Sequence, residues 1–459
     1  MTTPFAHLHV DTTPTLAPAL APAGPRYLRP GWPLAVLYLG FPLWWALGLA
    51  QVIFFAMAAA MAVILRRQGG LRVPRGFSLW LLFMVWMLAG VLVLRATAPG
   101  TVPGGGVGRL VNFGVWAGWY VAITIAMLYV ANTAKQISTQ QIVRLLAWMF
   151  VVTAGFGVLA VLAPTLEFQS PMEVLLPKRL TSTNFVHTLV HPSLSSSSDF
   201  LGYVQPRPTA PFPYSNAWGN NLALYMPFFV LAWFGRDAGW RRKAAPLVLV
   251  VAVFPVIFSL NRGLWISLAL AAGYAAVRLA VNGKGRALQV LIAAILVGGI
   301  AFVSSPLYDT VVLRVETPHS NERRAGTAET VVSTAAAGSP VIGYGTTRTM
   351  QGSFSSLAGG ETASCHQCAA PPLGTQGFMW RLVLTTGFGG TVLCLSFFAY
   401  QFLRRARGPA PIDVTTCTVV LIALLCFFVY DSLGSAMFTL MIAVGLMARA
   451  DDPEAEVAV

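Results

Sequence analysis

Two arginines stand where a guanidinium can meet an anionic group. Arg207 opens the stretch RPTAPFPYSNAWGNN, and Arg262 sits in LNRGLW between two apolar blocks. A guanidinium keeps its charge when partly desolvated and matches phosphate oxygens in a bidentate fork. A pair of them at the edge of an apolar layer suits a diphosphate. The competing reading is snorkelling, in which a long cationic side chain at the end of an apolar segment reaches for the interface. Asn216, Asn220 and Asn261 lie close to these arginines in sequence and offer amides to a sugar or its carrier. Trp218, among them, is equally explained as an interfacial anchor.

Other groups carry weaker signals. His366 lies in SCHQC, flanked by Cys365 and Cys368. Imidazole titrates near neutral pH and so suits base chemistry, although a lone loop histidine is most often a solvated residue. Cys-x-x-Cys with one histidine gives three ligands, where a structural zinc site takes four. The pair therefore reads first as a local disulfide, with zinc or free thiols as alternatives. His319, Asn321, Arg323 and Arg324 form PHSNERR, which can bind an acidic sugar or phosphate, or simply be a solvated helix start. Glu329 and Glu361 are carboxylates that would serve as bases if buried. His187 and His191 would share one face of a helix, but their Ser- and Pro-rich surroundings argue for a loop. Cys394, Cys417 and Cys426 lie in apolar blocks and read as packing residues.

The segments that must position these groups are overwhelmingly apolar. Of 459 residues, 56% are hydrophobic and 10% charged, with mean hydropathy +0.68. Soluble domains carry about 25% charged residues, so a soluble enzyme is excluded. The balance of 30 Lys and Arg against 16 Asp and Glu gives +14. These charges cluster between apolar blocks, as the positive-inside rule produces, and nucleic-acid binding is set aside.

At about 20 residues per span, the pattern predicts an all-α polytopic membrane protein with about twelve transmembrane helices. The first block, 32–65, holds two spans that break near Gly48. The others are 77–94, 110–131, 143–162, 222–234, 247–260, 264–279, 290–303, 378–403, 417–430 and 433–447. Residues 1–30 read as a disordered cytoplasmic tail without a cleavable signal, and 450–459 as an acidic cytoplasmic tail. The membrane domain is 31–449, including extracytoplasmic loops 164–217 and 305–377. On this count the basic loops fall on one side with both termini, and the two long polar segments on the other. The apolar blocks are nearly free of Asp, Glu and Lys. A transporter needs polar groups near the midplane, so work at the outer leaflet fits better than an exporter or flippase. A non-catalytic scaffold for envelope assembly is the third reading.

Three stretches carry a family resemblance. RPTAPFPYSNAWGNNLALYMP is similar to the Arg–Pro…Asn stretch entering a middle span of the O-antigen ligase and polymerase superfamily. SLNRGLWISLALAAGYAAVRL resembles its Ser-Arg-Gly turn between two spans, and GYGTTR at 343–348 its Gly-x-Gly in the large external loop. The resemblance covers roughly residues 207–398. It implies a GT-C-like membrane protein in the cell (inner or plasma) membrane: a metal-independent, inverting glycosyltransferase with no cofactor. The donor would be a polyprenyl-diphosphate-linked glycan and the acceptor a saccharide or lipid-linked glycan, with the bilayer as surroundings and no nucleic acid. Arg207 and Arg262 correspond to the arginines that hold the diphosphate. The family's loop histidine precedes a Gly-x-x-Gly, here Gly387 to Gly390, and its position is occupied by Gln376. An amide cannot act as a base near neutral pH, though it can orient a hydroxyl or phosphate. Three readings stay open: His366 is a displaced base, the reaction uses no histidine base, or the protein is a non-catalytic relative.

Overall fold

The computed structural model describes residues 31–103, 106–198, 205–305, 307–316, 319–351 and 372–451. It is 72% helix and 3% strand, an all-α fold. The chain runs through α1 (Trp32–Leu39), α2 (Phe41–Ala46), α3 (Val52–Arg67), α4 (Phe77–Ala89), α5 (Val107–Asn132) and α6 (Thr139–Leu162). A layer of short elements follows: α7 (Pro171–Leu175), α8 (Lys178–Thr181), α9 (Asn184–Val190), and the antiparallel pair β1 (Ser195–Ser198) and β2 (Gln205–Pro208). Then come α10 (Ser215–Phe234), α11 (Trp240–Phe258), α12 (Arg262–Val281), α13 (Gly285–Val303), α14 (Leu307–Glu316) and α15 (His319–Gly338). The chain ends with α16 (Phe378–Arg405), α17 (Pro411–Cys426) and α18 (Ser435–Arg449). The tails 1–30 and 452–459 lie outside the described residues.

Among the described residues, four helices, α5, α6, α12 and α16, are long and apolar enough to cross a membrane; α17, α18 and much of α4 and α13 are shorter apolar helices. α18 is buried along nearly its whole length and packs against α5 and α17, while α10 packs against α6 and α17. A helix apolar on every side belongs at the centre of a bundle. α13 is the opposite case. Its Val290 and Ile300 are 70% and 68% exposed, and it packs on α12 and α14. An exposed apolar helix of this kind is out of place in water and suited to hydrocarbon. Cys394, Cys417 and Cys426 are buried, as packing residues should be.

Several boundaries differ from the sequence reading. The break at Gly48 is real: its φ is +74°, and a Cβ there would stand 2.3 Å from Ser170 Oγ. The segment before it is itself split in two at Gly40. α10 starts at Ser215 rather than 222, because the polar SNAWGNN turn can still form helical hydrogen bonds once its amides are paired to neighbours. α17 starts at Pro411, a residue preorganised for a first helical turn, and ends at Cys426, earlier than expected. Residues 427–434 are thereby a connecting turn rather than helix. His187 lies in α9, with His191 capping its C-terminus, not in an irregular loop. Asp451 is not a loose tail residue but pairs with Arg404 and Arg405, while Arg449 donates to the carbonyls of Val130 (2.6 Å) and Ile137 (2.8 Å).

The polar segment after α15 is locked onto α16 by glycines. α16 is interrupted at Gly387 (φ 64°, ψ −174°), which frees nearby helix carbonyls. The N–H groups of Tyr344 and Gly345 take the carbonyls of Leu384 and Thr385 at 2.8 and 2.9 Å, and the released Phe388 N–H donates to Pro340 O at 2.7 Å. A Cβ on Gly387 would lie 2.4 Å from the Val341 carbonyl, and one on Gly343 2.5 Å from the Gly387 nitrogen. Gly-x-Gly and Gly-x-x-Gly, read separately in the sequence, are thus two halves of one joint. Arg348 completes it from a buried position, donating to Tyr344 O (2.8 Å), Thr346 O (3.0 Å) and Leu94 O (3.3 Å). Burial, with Arg109 nearby, pushes its pKa down to about 10, which still leaves it charged at neutral pH.

Candidate functional site

One end of the bundle gathers most of the polar chemistry. It is formed by the N-termini of α10, α12, α16 and α18 and by the 427–434 turn. The turn is tied down from three sides. Phe378 N–H, at the start of α16, donates to Tyr430 O at 2.8 Å. Asn220 and Asn221 of α10 donate to Ser432 Oγ (3.0 Å) and Ser435 Oγ (2.9 Å). The Tyr430 hydroxyl donates to Asn261 Oδ1.

Arg207 is positioned by the strand pair. It lies opposite Ser196, is buried, and its Nε donates to Ser259 O at 2.6 Å. That carbonyl belongs to the turn leading into α12. The turn contains Leu260 in the left-handed region (φ 50°), a conformation that costs a branched residue about 1–2 kcal/mol and is held by the surrounding contacts. Asn261 then caps α12, accepting from Leu264 N–H at 3.3 Å, and donates to Ser215 O at 3.4 Å. With Tyr430 also bonded and the residue buried, the Asn261 amide is engaged in positioning the start of α12. Arg262 follows as the first residue of α12 and is half-buried.

Tyr430 reports the electrostatics of this end. Burial pushes its hydroxyl pKa well up and Cys426 adds to this, while the charges of Arg324 and Arg207 oppose it. Arg324 comes from α15 and Arg207 from β2, and the charge of each acts on this one buried phenol. Arg324 is half-buried. Asn220 is buried, with its Oδ1 unpaired among the described residues, and Asn216 is half-buried one turn earlier. Gln376 is half-buried two residues before Phe378, so it enters at this same turn. Glu329 is exposed on α15, which argues against a base role. His366, Cys365, Cys368 and Glu361 lie outside the described residues, as do the side chains of His319, Asn321 and Arg323.

Three further groups complete the site. Arg381, one turn into α16, is buried, pairs with Asp431, and lies over the Trp116 ring at 4.5 Å from its centroid. Burial raises the Asp431 carboxyl above the usual carboxylate range and Arg381 opposes the shift, yet 35% of the side chain remains accessible. Tyr214, the residue before α10, is 45% exposed. Arg381 has a sequence signal, a single charge inside a long apolar block, which marks a functional candidate. Asp431 stood out less, because DSLG reads as an ordinary turn between spans.

Among the described residues, the arrangement brings the Arg207 and Arg381 guanidiniums and the accessible Asp431 carboxylate to one end of an apolar bundle, with Arg262 at the start of α12. It can bind a polyanionic headgroup whose tail lies in hydrocarbon. Among the described residues, one set of His and carboxylate donors is close enough to share an ion: Glu173, His187 and His191. It stands on α7 and α9 rather than on the helix ends that carry the arginines. No family model matches the chain, and no curated protein matches it in sequence.

Proposed function

We propose that this chain is an outer-leaflet glycan transferase, a ligase or polymerase, that uses a polyprenyl-diphosphate-linked saccharide in cell-surface polysaccharide assembly. The observation that carries the reading is the end of the bundle at the 427–434 turn, where Arg381 pairs with the accessible Asp431, Arg207 donates to the Ser259 carbonyl, and Arg262 opens α12 beside Gly263, which packs against the Tyr430 hydroxyl. The sequence resemblance to the O-antigen ligase and polymerase superfamily supports it independently at Arg207 and Arg262. In this reading about twelve helices cross the cell membrane. Both termini are cytoplasmic, and residues 164–217 and 305–377 are outside.

The diphosphate sits among the arginines with its prenyl tail in the bilayer. An acceptor hydroxyl, from a saccharide or a lipid-linked glycan, attacks the anomeric carbon opposite the leaving group, with inversion. The bond from that carbon to the diphosphate oxygen breaks, and its electron pair leaves with the diphosphate. Guanidiniums already in place where that negative charge grows supply the main catalytic effect. The hydroxyl proton goes to Asp431, to His366 or to the leaving diphosphate, and Gln376 orients the acceptor. Arg381 keeps Asp431 ionised against its burial.

A deletion strain complemented with variants tests this. Surface polysaccharide length is read on a gel and carrier-linked short glycan is quantified, at matched membrane expression. Arg207→Ala and Arg262→Ala are expected to lose long polysaccharide and accumulate carrier-linked glycan. Full function in both variants would move the protein to the scaffold or exporter reading.

A further inference from the structure

The donor set on α7 and α9 has the form of a transition-metal site. His187 and His191 are one helical turn apart, joined by the His191 N–H to His187 O bond of 2.8 Å, and their rings stack at 4.5 Å with an interplanar angle of 17°. Glu173, from α7, bridges both imidazoles. Its Oε2 is 2.8 Å from His191 Nδ1, and its Oε1 is 3.7 Å from His187 Nε2. The three donor atoms lie within 4.8 Å of one another. Two imidazole nitrogens and one carboxylate oxygen match the three protein ligands of an open zinc site. Calcium and magnesium take oxygen ligands instead.

Two features suggest a built site rather than a chance meeting. The first is support for the ligand elements. Ser170 Oγ caps the Glu173 N–H at 3.0 Å and donates to Val190 O at 2.5 Å, which fixes α7 against the end of α9. The second is an outer partner. Glu167 Oε2 lies 3.9 Å from His191 Nε2, the ring nitrogen turned away from Glu173. At that distance the carboxylate is an ion-pair neighbour and not yet a hydrogen-bond partner; closing onto the ring would give it the outer place from which a carboxylate orients a ligating histidine. The Glu167 backbone bridges that of Ser193, while its side chain is 66% exposed. His187 is 47% exposed while Glu173 and His191 are 11% and 15% exposed, so the site opens on one side to a water or a further ligand.

We propose that Glu173, His187 and His191 bind one divalent transition-metal ion, zinc by donor chemistry, with Glu167 orienting His191. The ion cross-links α7 to α9. His191 leads directly into β1, whose Ser196 pairs with Arg207 and shares a 3.1 Å hydroxyl contact with Ser215 at the start of α10. The site therefore stiffens the layer that carries Arg207 without supplying a group to the reaction. This holds whether or not the chain is a transferase.

The test is metal binding by the purified full chain in detergent, followed by zinc equilibrium dialysis and by the visible bands of Co2+. Wild type is expected to bind one ion at this site, with tetrahedral Co2+ bands and a metal-dependent rise in Tm. His187→Ala, at the half-exposed ligand, is expected to weaken binding at least about 100-fold, and Glu167→Gln by about 10-fold, the range for outer-layer partners. A Cys365→Ser, Cys368→Ser, His366→Ala variant separates any second site and is expected to keep the bands. Absence of Co2+ bands in wild type, or undiminished bands and zinc affinity in His187→Ala, overturns the proposal. Each variant's metal-free Tm reports whether it folds.

Discussion

The arginines differ in what they hold. Arg207 spends its Nε on the Ser259 carbonyl, so part of its fork is committed to the turn that launches α12. Arg381 is buried against Trp116 and salt-bridged to Asp431. Removing a preorganised charge at a developing anion costs roughly 100- to 1,000-fold in rate. Arg381→Ala is expected to show a loss of that order in glycan transfer, and Arg381→Lys to recover little of it, because an ammonium does not reproduce the fork or the ring stacking. The pH dependence has a defined sign. Asp431 has its carboxyl raised by burial, so acid protonates it at a higher pH than an ordinary carboxylate. If it takes the acceptor proton, transfer falls on acidification through that raised pKa. Arg381→Ala moves the acidic limb to still higher pH, because the stabilising charge is gone, and Asp431→Asn abolishes the limb. A pH–rate profile of the purified protein measures all three. Arg207 and Arg262 stand out in the sequence because each sits in a short motif beside Pro, Asn or Gly. The Arg381–Asp431 pair joins residues fifty positions apart, and no local pattern announces such a pairing.

The decisive elements are the ones that end or bend helices. α16 is interrupted at Gly387, and the Tyr344–Gly345 segment docks on the carbonyls that the interruption releases. An alanine there meets both a left-handed φ and the Val341 backbone. Gly387→Ala is expected to cost about 1–3 kcal/mol, seen as a lower Tm in detergent and faster proteolysis near 339–351. Gly298→Ala on α13, whose Cβ would meet open space, is expected to change neither. Tyr430→Phe is a second probe. It leaves Asn261 without one partner in a buried place, at about 1–3 kcal/mol, and loosens the turn before Arg262. At this scale the helix centres were readable from apolar runs, as for α5, α6 and α12. The ends were not, because SNAWGNN becomes helical only through bonds to Ser432 and Ser435 more than two hundred residues away. The α7–α9 layer escaped for a similar reason. Its helices are too short for a periodic pattern, and Ser and Pro there serve as caps.

For the whole molecule, hydropathy predicted the class well. A charge content of 10% cannot support a water-soluble surface, and the exposed apolar face of α13 is the consequence. The two ends of the bundle differ in degree. Both carry cation–carboxylate pairs, but the carboxylates beside Arg404 and Arg405, Asp413 and Asp451, are 6% and 18% exposed, and Asp431 beside Arg381 is 35% exposed. That asymmetry fits a protein whose chemistry is at one membrane face. Single-cysteine labelling with an impermeant reagent is expected to mark residues in 164–217 and 339–351 in intact cells, and those near 66–75 and 236–243 only after lysis. The most direct test is binding of polyprenyl diphosphate by the protein in nanodiscs. The account predicts saturable binding that polyprenyl monophosphate matches poorly, weakened at least about 10-fold by Arg207→Ala or Arg262→Ala, the effect of losing a charged hydrogen bond of about 1.5–3 kcal/mol. Binding that is equal for both lipids and indifferent to both substitutions contradicts it.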